Sequence, residues 1–124
     1  DEINKWLQYF VRTFNDEQGN KLFVITVKGN DQVIGYGGLG YVKEFDSIEI
    51  MYGFNELVWG KGYATEASKR FKELAKDLKM TFLIALADIN NIPSQKILLK
   101  TGYKEIKQMP LWGLDVYFYE MDLT

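Results

Sequence analysis

Two glycines, Gly60 and Gly62, stand between a stretch with the pattern of a strand and the most regular helical pattern in the chain. Glycine lets a backbone turn sharply and approach a ligand closely, because it has no side chain and accepts positive φ angles. The first amides of a helix have no partner inside the helix, and with the helix dipole they favour an anion. The loop therefore predicts a site for an anion such as a pyrophosphate; the alternative is a tight turn whose glycines serve geometry alone.

Two common phosphate-binding loops do not fit this stretch. The dinucleotide fingerprint needs a third glycine where Thr65 stands, and the nucleoside-triphosphate loop needs a Gly-Lys-Ser/Thr sequence that is absent. The pattern points to another diphosphate ligand.

The composition excludes several kinds of chemistry. The 124 residues contain no cysteine and no histidine, which rules out disulfides, cysteine nucleophiles, imidazole bases and ordinary zinc sites, and we expect no metal. A net charge of -2 argues against nucleic-acid binding and mildly favours a cationic ligand. Without a long apolar run or a signal peptide, the chain is expected to be cytoplasmic and to bind no membrane.

Hydrophobic periodicity predicts the elements that must position the loop. Apolar residues from Ile3 to Phe14 recur at three- and four-residue steps, which predicts an amphipathic helix. A second apolar stripe predicts the helix after Gly62, and Pro93 and Gly102 bound a shorter one. The predicted strands cover residues 22–28, 33–42, 47–54, 81–87, 103–109 and 114–123.

The second of these strands has an unusual density of glycine, at positions 35, 37, 38 and 40. Glycine weakens a strand unless the strand bends or another backbone or ligand comes close. Bending is the favoured interpretation, and a nearby ligand is the alternative.

Two sequence strings together resemble one family. Trp59-Gly60-Lys61-Gly62-Tyr63-Ala64-Thr65-Glu66-Ala67 resembles motif A of the GCN5-related N-acetyltransferases (GNAT), and in particular the ribosomal-protein-alanine branch. Downstream, Asn91-x-x-Ser94 followed by Ile97-Leu98-Leu99-Lys100-Thr101-Gly102-Tyr103 is similar to the motif B of the same family. The two motifs occur in the family's order, with one helix and one buried strand between them.

The resemblance implies a mixed α/β fold. Its central sheet would be mostly antiparallel, flanked by helices, and splayed between the strands at 48–54 and 81–87. We expect one domain over residues 1–124. Family members usually open with a strand and a helix ahead of the helix predicted from Ile3, so we expect the domain to be incomplete at its N-terminus.

The resemblance also implies roles for individual residues. Acetyl-CoA would lie in the splay, its pantetheine arm pairing with exposed strand backbone, while backbone amides from about Val58 to Ala64 hold its pyrophosphate. Asn91 would contact the cofactor arm, and Ser94 would lie near the thiol and act in catalysis. The expected cofactor-binding residues are Val58, Trp59, Gly60, Lys61, Gly62, Tyr63, Ala64, Thr65, Asn91 and Ser94.

The catalytic groups are less directly indicated. With no histidine, the general base is expected to be a carboxylate acting through water, with Glu49 as first choice and Glu56 as second; a solvated strand residue is the alternative for Glu49. Many members protonate the leaving thiolate with a Tyr seven residues after the motif Asn, where this chain has Leu98. Ser94, another tyrosine or water would take that role.

The implied activity is direct transfer of an acetyl group from acetyl-CoA to a primary amine in a ternary complex, with a peptide N-terminus, a polyamine or an amino-sugar as acceptor. A catalytically silent acyl-CoA-binding module and a scaffold that binds nothing are the alternatives. The sequence leaves the acceptor open, and also the oligomeric state, for which a homodimer is one option.

Overall fold

The computed structural model describes residues 7–15 and 20–124, which form one seven-stranded sheet and two α-helices. Along the sheet the strands are ordered β1-β2-β3-β4-β5-β7-β6. The elements are β1 (Leu7–Asn15), β2 (Lys21–Val27), β3 (Val33–Val42), β4 (Ser47–Phe54), α1 (Tyr63–Asp77), β5 (Phe82–Asp88), α2 (Ile92–Lys100), β6 (Lys104–Leu111) and β7 (Leu114–Asp122). Neither helix of this described part is long and apolar enough to cross a membrane.

The sheet is antiparallel except where β4 and β5 run parallel, and this is where it opens. β4 pairs with β3 along its whole length, from Ser47 to Phe54, but with β5 only through Glu49 and Ile84. β5 in turn pairs with β7 along its whole length. The predicted mixed sheet, splayed between these two strands, is therefore confirmed.

The helix predicted from Ile3 to Phe14 is wrong for the part that the structure describes. Residues Leu7–Asn15 form an edge strand antiparallel to β2, with Leu7 opposite Val27, while residues 3–6 lie outside the described residues. The apolar spacing fits a helical stripe, but the segment YFVRTF is rich in aromatic and β-branched residues, which favour strands. Pairing with β2 from Leu7 to Val11, and again at Asn15, overrides the helical periodicity.

Both helices cover the same face of the sheet. The stripe of α1 buries Ala67, Phe71 and Ala75 in a core that also contains Leu98 of α2. Strand residues of this core include Leu39, Ile50, Leu83, Ala85 and Tyr119. The opposite face carries a smaller cluster formed by Val42, Ile84 and Phe118.

The glycines of β3 make room for the protein itself. A Cβ atom on Gly37 would lie 2.7 Å from the Phe71 ring, and one on Gly38 would lie 1.8 Å from the carbonyl oxygen of Lys21. Close approach by α1 and β2 therefore explains these two glycines without a ligand.

The two helices are joined by a buried hydrogen bond. Thr101 donates to the carbonyl of Ile97 at 2.8 Å, so the Ser68 hydroxyl of α1 donates to Thr101 at 3.0 Å. Gly102 follows the C-cap of α2 with a φ of +102°, and the Tyr103 N–H donates to the carbonyl of Leu98 at 2.9 Å. This confirms the predicted terminating glycine and fixes α2 against α1.

Candidate active site

A cleft of about 490 Å³ opens where β4, the N-terminus of α1 and the N-terminus of α2 meet. β4 contributes its last residues, and the two helices contribute their first turns. The lining residues are Tyr52, Gly53, Phe54, Val58, Trp59, Gly60, Gly62, Tyr63, Ala64, Thr65, Asn91, Pro93, Ser94, Lys96 and Ile97. Nearly all the cofactor-binding residues expected from the sequence thus lie around one cavity.

The glycine loop has the conformation that its sequence predicts. Gly60 and Gly62 have φ angles of +81° and +82°, the left-handed region that residues with a Cβ atom avoid. A Cβ atom on either would meet nothing within 4 Å, so the protein itself does not fill the space beside the loop. These glycines are needed for the turn, and their open side leaves the backbone accessible to a ligand.

The start of α1 presents unpaired amides to the cleft. Gly62 is the N-cap and has no side chain to cap the helix, and its carbonyl accepts the amide of Glu66. In the part of the chain that the structure describes, no acceptor pairs with the amides from Gly60 to Thr65. Free amides and a helix dipole favour a negatively charged group at this end.

Two of the expected amide donors are already used. The amide of Val58 donates to the carbonyl of Asn55 at 3.0 Å, and that of Trp59 donates to the carbonyl of Glu56 at 3.1 Å. These bonds close a short 3-10 turn over Glu56–Val58. Val58 and Trp59 therefore offer the cleft side chains, and the free amides begin at Gly60.

Asn91 is the N-cap residue of α2, and the oxygen of its side chain caps the helix. Its Oδ1 atom accepts the amide of Ser94 at 3.2 Å, which leaves the amide nitrogen of the side chain available as a donor. The Gln95 side chain holds the preceding turn by donating to the carbonyls of Asp88 and Ile89. Asn91 and Ser94 thus line the cleft from the capped start of α2.

Tyr52 forms the inner wall of the cleft on the helix-covered side of β4. Its hydroxyl is buried and has no hydrogen-bond partner among the described residues. Burial raises the pKa of Tyr52, and the nearby Ser94 hydroxyl partly offsets this shift, although the two hydroxyls do not meet in a well-formed hydrogen bond. The phenol therefore keeps its proton at neutral pH.

Glu49 does not line the cleft. Its neighbour Ile50 belongs to the helix-covered core, so the Glu49 side chain lies on the opposite face of β4, at the residue where β4 pairs with β5. Burial raises the pKa of Glu49 from 4.5 to about 7. A carboxyl group with a pKa near 7 is suited to take up a proton at neutral pH.

Among the described residues that line the cleft, Lys96 has the only charged side chain, and none has a carboxylate. Lys61, expected at the loop, is exposed and lies outside the lining. Glu56, the second candidate base, is also exposed and does not reach the cavity. The charge balance of the cleft therefore suits an anion.

Sequence reasoning missed some of the wall. Tyr52, Phe54, Pro93 and Ile97 line the cleft but were not expected as ligand contacts. Strand alternation puts Tyr52 and Phe54 on the face of Ile50, and this signal could have identified them. The side chain of Leu98, which stands where many family members have the acid, is 2% exposed and lies in the core.

The sequence of this chain matches a family model and a curated relative. A family model described as an acetyltransferase (GNAT) domain matches residues 1–104. The uncharacterized N-acetyltransferase p20 of Bacillus licheniformis is 32% identical over 90 residues, which is 71% of this chain and 50% of that protein. The chain therefore spans half the length of this curated relative.

Solved structures show the same fold. An N-acetyltransferase from Staphylococcus aureus Mu50 matches with a TM-score of 0.74 and 27% identity, over 84% of this chain and 68% of that one. yncA of Salmonella typhimurium, solved with its cofactor acetyl-CoA, matches with a TM-score of 0.72 and 22% identity, over 86% and 66% of the two chains. With the family model covering most of its residues, the chain belongs to the GNAT acetyltransferase family.

Proposed function

We propose that this chain is an acetyl-CoA-dependent N-acetyltransferase that moves an acetyl group to a primary amine by direct transfer. The observation that carries the proposal is the set of free amides at the start of α1, facing a cleft that opens where β4 leaves β5. A GNAT domain needs such an anion site and such a gap for its cofactor. Residues 1–124 would act as one domain of this kind.

The residues present fit acetyl-CoA. Amides from Gly60 to Thr65 would hold the pyrophosphate, with Lys96 adding a positive charge. The unpaired edge of β4 from Met51 to Phe54 would pair with the amides of the pantetheine arm, as an added strand does. Acetyl-CoA, when bound, supplies an acetyl group activated as a thioester.

Glu49 is the proposed general base. It would take a proton from the amine through water, on the face of β4 opposite the cofactor, so that the amine and the thioester approach from two sides of the gap. A backbone amide near Met51 would stabilise the developing oxyanion. Ser94, at the cleft wall beside Tyr52, is the second proposed catalytic residue.

The acceptor class is a peptide N-terminus, a polyamine or an amino-sugar. Acidic side chains outside the cleft, including Glu44 and Glu49, favour a cationic acceptor over an anionic one. The ribosomal-protein-alanine branch stays a prediction from motif A.

The second candidate is an acyl-CoA-binding module without turnover. Leu98 favours this binding module, because it stands where many family members have the acidic tyrosine and its side chain is buried in the core and has no hydroxyl. This candidate shares the cofactor site of the first but predicts no product.

A turnover screen separates the two candidates. Acetyl-CoA is offered with N-terminal peptides, polyamines and amino-sugars, and the release of free thiol is followed together with the mass of the product. We expect acetylated amine with at least one acceptor class, and a loss of roughly 100-fold in E49Q with E56Q unaffected. Binding of CoA without product from any amine would support the binding module instead.

A further inference from the structure

The face of β4 opposite the helices carries Glu49, and the side chains that follow it toward the gap are apolar. The Glu49 side chain is half-buried and has no hydrogen bond or ion pair with any residue in the described part of the chain. Gly40 of β3 lies directly opposite Glu49 and contributes no side chain. The surroundings of the carboxylate on its open side are therefore set by the next side chains along β4 and β5.

Met51 is the next side chain of β4 on this face. It lies two residues beyond Glu49 and pairs with Gly38. Its methyl group lies over Gly40, because a Cβ atom on Gly40 would be only 2.6 Å from Met51 Cε. The missing side chain at position 40 thus lets the methyl group of Met51 reach the level of Glu49.

Leu86 lies across the gap from Met51. Ile84 of β5 is level with Glu49, and Leu86 is the next residue of β5 on the same face. Leu86 is half-buried and packs against the apolar cluster that contains Ile84 and Phe118. Where the two strands part, the side chains of Met51 and Leu86 therefore form two apolar walls beside Glu49.

The polar and charged groups near these walls do not form a second binding point for an amine. The Asn20 oxygen, near Gly40, accepts a backbone amide at 2.7 Å. Asp88 is about 13 Å along the strand from the level of Glu49, and one of its oxygens accepts a backbone amide. The Lys107 ammonium lies 5.5 Å from the ring centroid of Phe118, so the charge on that side is positive.

The apolar walls bear on the choice of acceptor, and this step rests on the proposed function with Glu49 as the base. A general base must reach the amine within hydrogen-bond distance, directly or through one water. The carbon that bears the amine nitrogen then lies close to Met51 and Leu86. Apolar surface buried there stabilises the complex, whereas a hydroxyl placed there would lose its water without gaining a partner.

We propose that Met51 and Leu86 make the site specific for an amine borne on an apolar group, such as a peptide N-terminus with an apolar first side chain. Amino-sugars are disfavoured because hydroxyl groups surround their amine. Polyamines are disfavoured because Glu49 offers one carboxylate, with apolar walls rather than further carboxylates beside it.

Two matched pairs of acceptors test this specificity. The first pair is two peptides that differ only in the first residue, leucine or the nearly isosteric asparagine. The second pair is pentylamine and putrescine, which have the same chain length and differ in one terminal group. We expect kcat/KM to be at least about 10-fold higher for the leucine peptide and for pentylamine, and glucosamine to be poorer than the leucine peptide. An equal or reversed preference in either pair would overturn the specificity and leave the acetyltransferase activity in place.

M51Q and L86N test whether the walls set the preference, with M109Q as the matched control. Met109 packs against the same apolar cluster, but it stands on β6, which β7 separates from the gap. We expect M51Q and L86N each to lower the leucine-to-asparagine ratio of kcat/KM at least about fivefold, and M109Q to leave it within about twofold. Both peptides are measured on the same protein, so a loss of folded protein cancels in the ratio.

An equal fall of the ratio in M109Q, or an unchanged ratio in M51Q and L86N, would overturn the role of the walls. A wild-type protein that binds CoA and acetylates none of these amines would overturn the proposed function together with this inference.

Discussion

Glu49 of β4 lies opposite Ile84 of β5, and this pair is where two parallel strands meet before they part. Toward the carboxyl ends of both strands, β4 keeps its partner β3 but has no further partner in β5 among the described residues. The pair therefore marks the closed end of the gap, and the cleft walled by Tyr52 and Ser94 begins just beyond it. The predictions below follow from this arrangement.

Gly62→Ala separates the strain of the loop from its use as an anion site. Alanine at a φ of +82° costs about 1 kcal/mol of stability, and its methyl group projects into the open space beside the free amides. We expect CoA affinity to fall at least about 10-fold, as measured by calorimetry.

Gly113→Ala is the control for that variant, because Gly113 has a φ of +80° and also has nothing within 4 Å of a built Cβ atom. It lies in the turn between β6 and β7, away from the cleft. It should lose a similar amount of stability and keep full CoA affinity. Equal losses of affinity in both variants would remove the loop from the binding site.

Lys96→Ala should weaken CoA binding, and the effect should shrink as salt is added. Lys96 lines the cleft, and a partly screened ion pair with a phosphate is worth roughly a 3- to 10-fold change in affinity. Lys100→Ala, on the same helix but outside this cleft, should change the affinity by less than about twofold. A larger effect at Lys100 would show that the phosphates lie elsewhere.

The activity should follow the ionisation of Glu49. Burial raises the pKa of Glu49 to about 7, so kcat/KM should increase with pH through about 7, where half of the carboxyl groups are ionised, and level off roughly one pH unit higher. E49Q should abolish this increase of kcat/KM with pH, along with most of the activity. If kcat/KM of E49Q still increased over the same pH range, the general base would be another group.

The same group makes a prediction for stability. Because the pKa of Glu49 is higher in the folded chain than the ordinary 4.5, its contribution is most favourable below pH 4.5 and is lost as the pH rises to about 7. E49Q should therefore stabilise the protein at pH 8 by up to about 3 kcal/mol relative to wild type. Urea denaturation at pH 5 and pH 8 measures this, and a variant less stable than wild type at pH 8 would contradict it.

The hydrogen bond between the helices predicts unequal costs for its two partners. Thr101→Val removes the acceptor of the buried Ser68 hydroxyl and should cost about 1–3 kcal/mol, whereas Ser68→Ala leaves Thr101 bonded to Ile97 and should cost about 1 kcal/mol. The double variant should be no less stable than Thr101→Val alone, because the second change removes the unpaired donor. Additive costs in denaturant would contradict this pairing.

The sequence predicted most of the site because its signals were local. Glycines before α1, a proline in the first turn of α2 and a glycine after α2 each act within a few residues, and the structure has all three as expected. The splay was expected from the resemblance to a family, since no local pattern distinguishes a paired strand from a parted one.

What the sequence could not predict depended on distant partners. Residues 7–15 have an apolar spacing that fits a helix, and only their pairing with β2 makes them a strand. Val58 and Trp59 were expected to donate amides to the ligand, but a 3-10 turn uses those amides within the chain. The buried, unpaired hydroxyl of Tyr52 could not be predicted either, because it depends on how β4 packs against the core.

The most direct test of the central claim compares thermal unfolding with CoA and with pantetheine, which has the arm but lacks the pyrophosphate. If the amides at the start of α1 grip the pyrophosphate, CoA at 100 times its dissociation constant should add about 2.7 kcal/mol, and pantetheine at the same concentration almost nothing. Equal stabilisation by both, or none by CoA, would contradict the account.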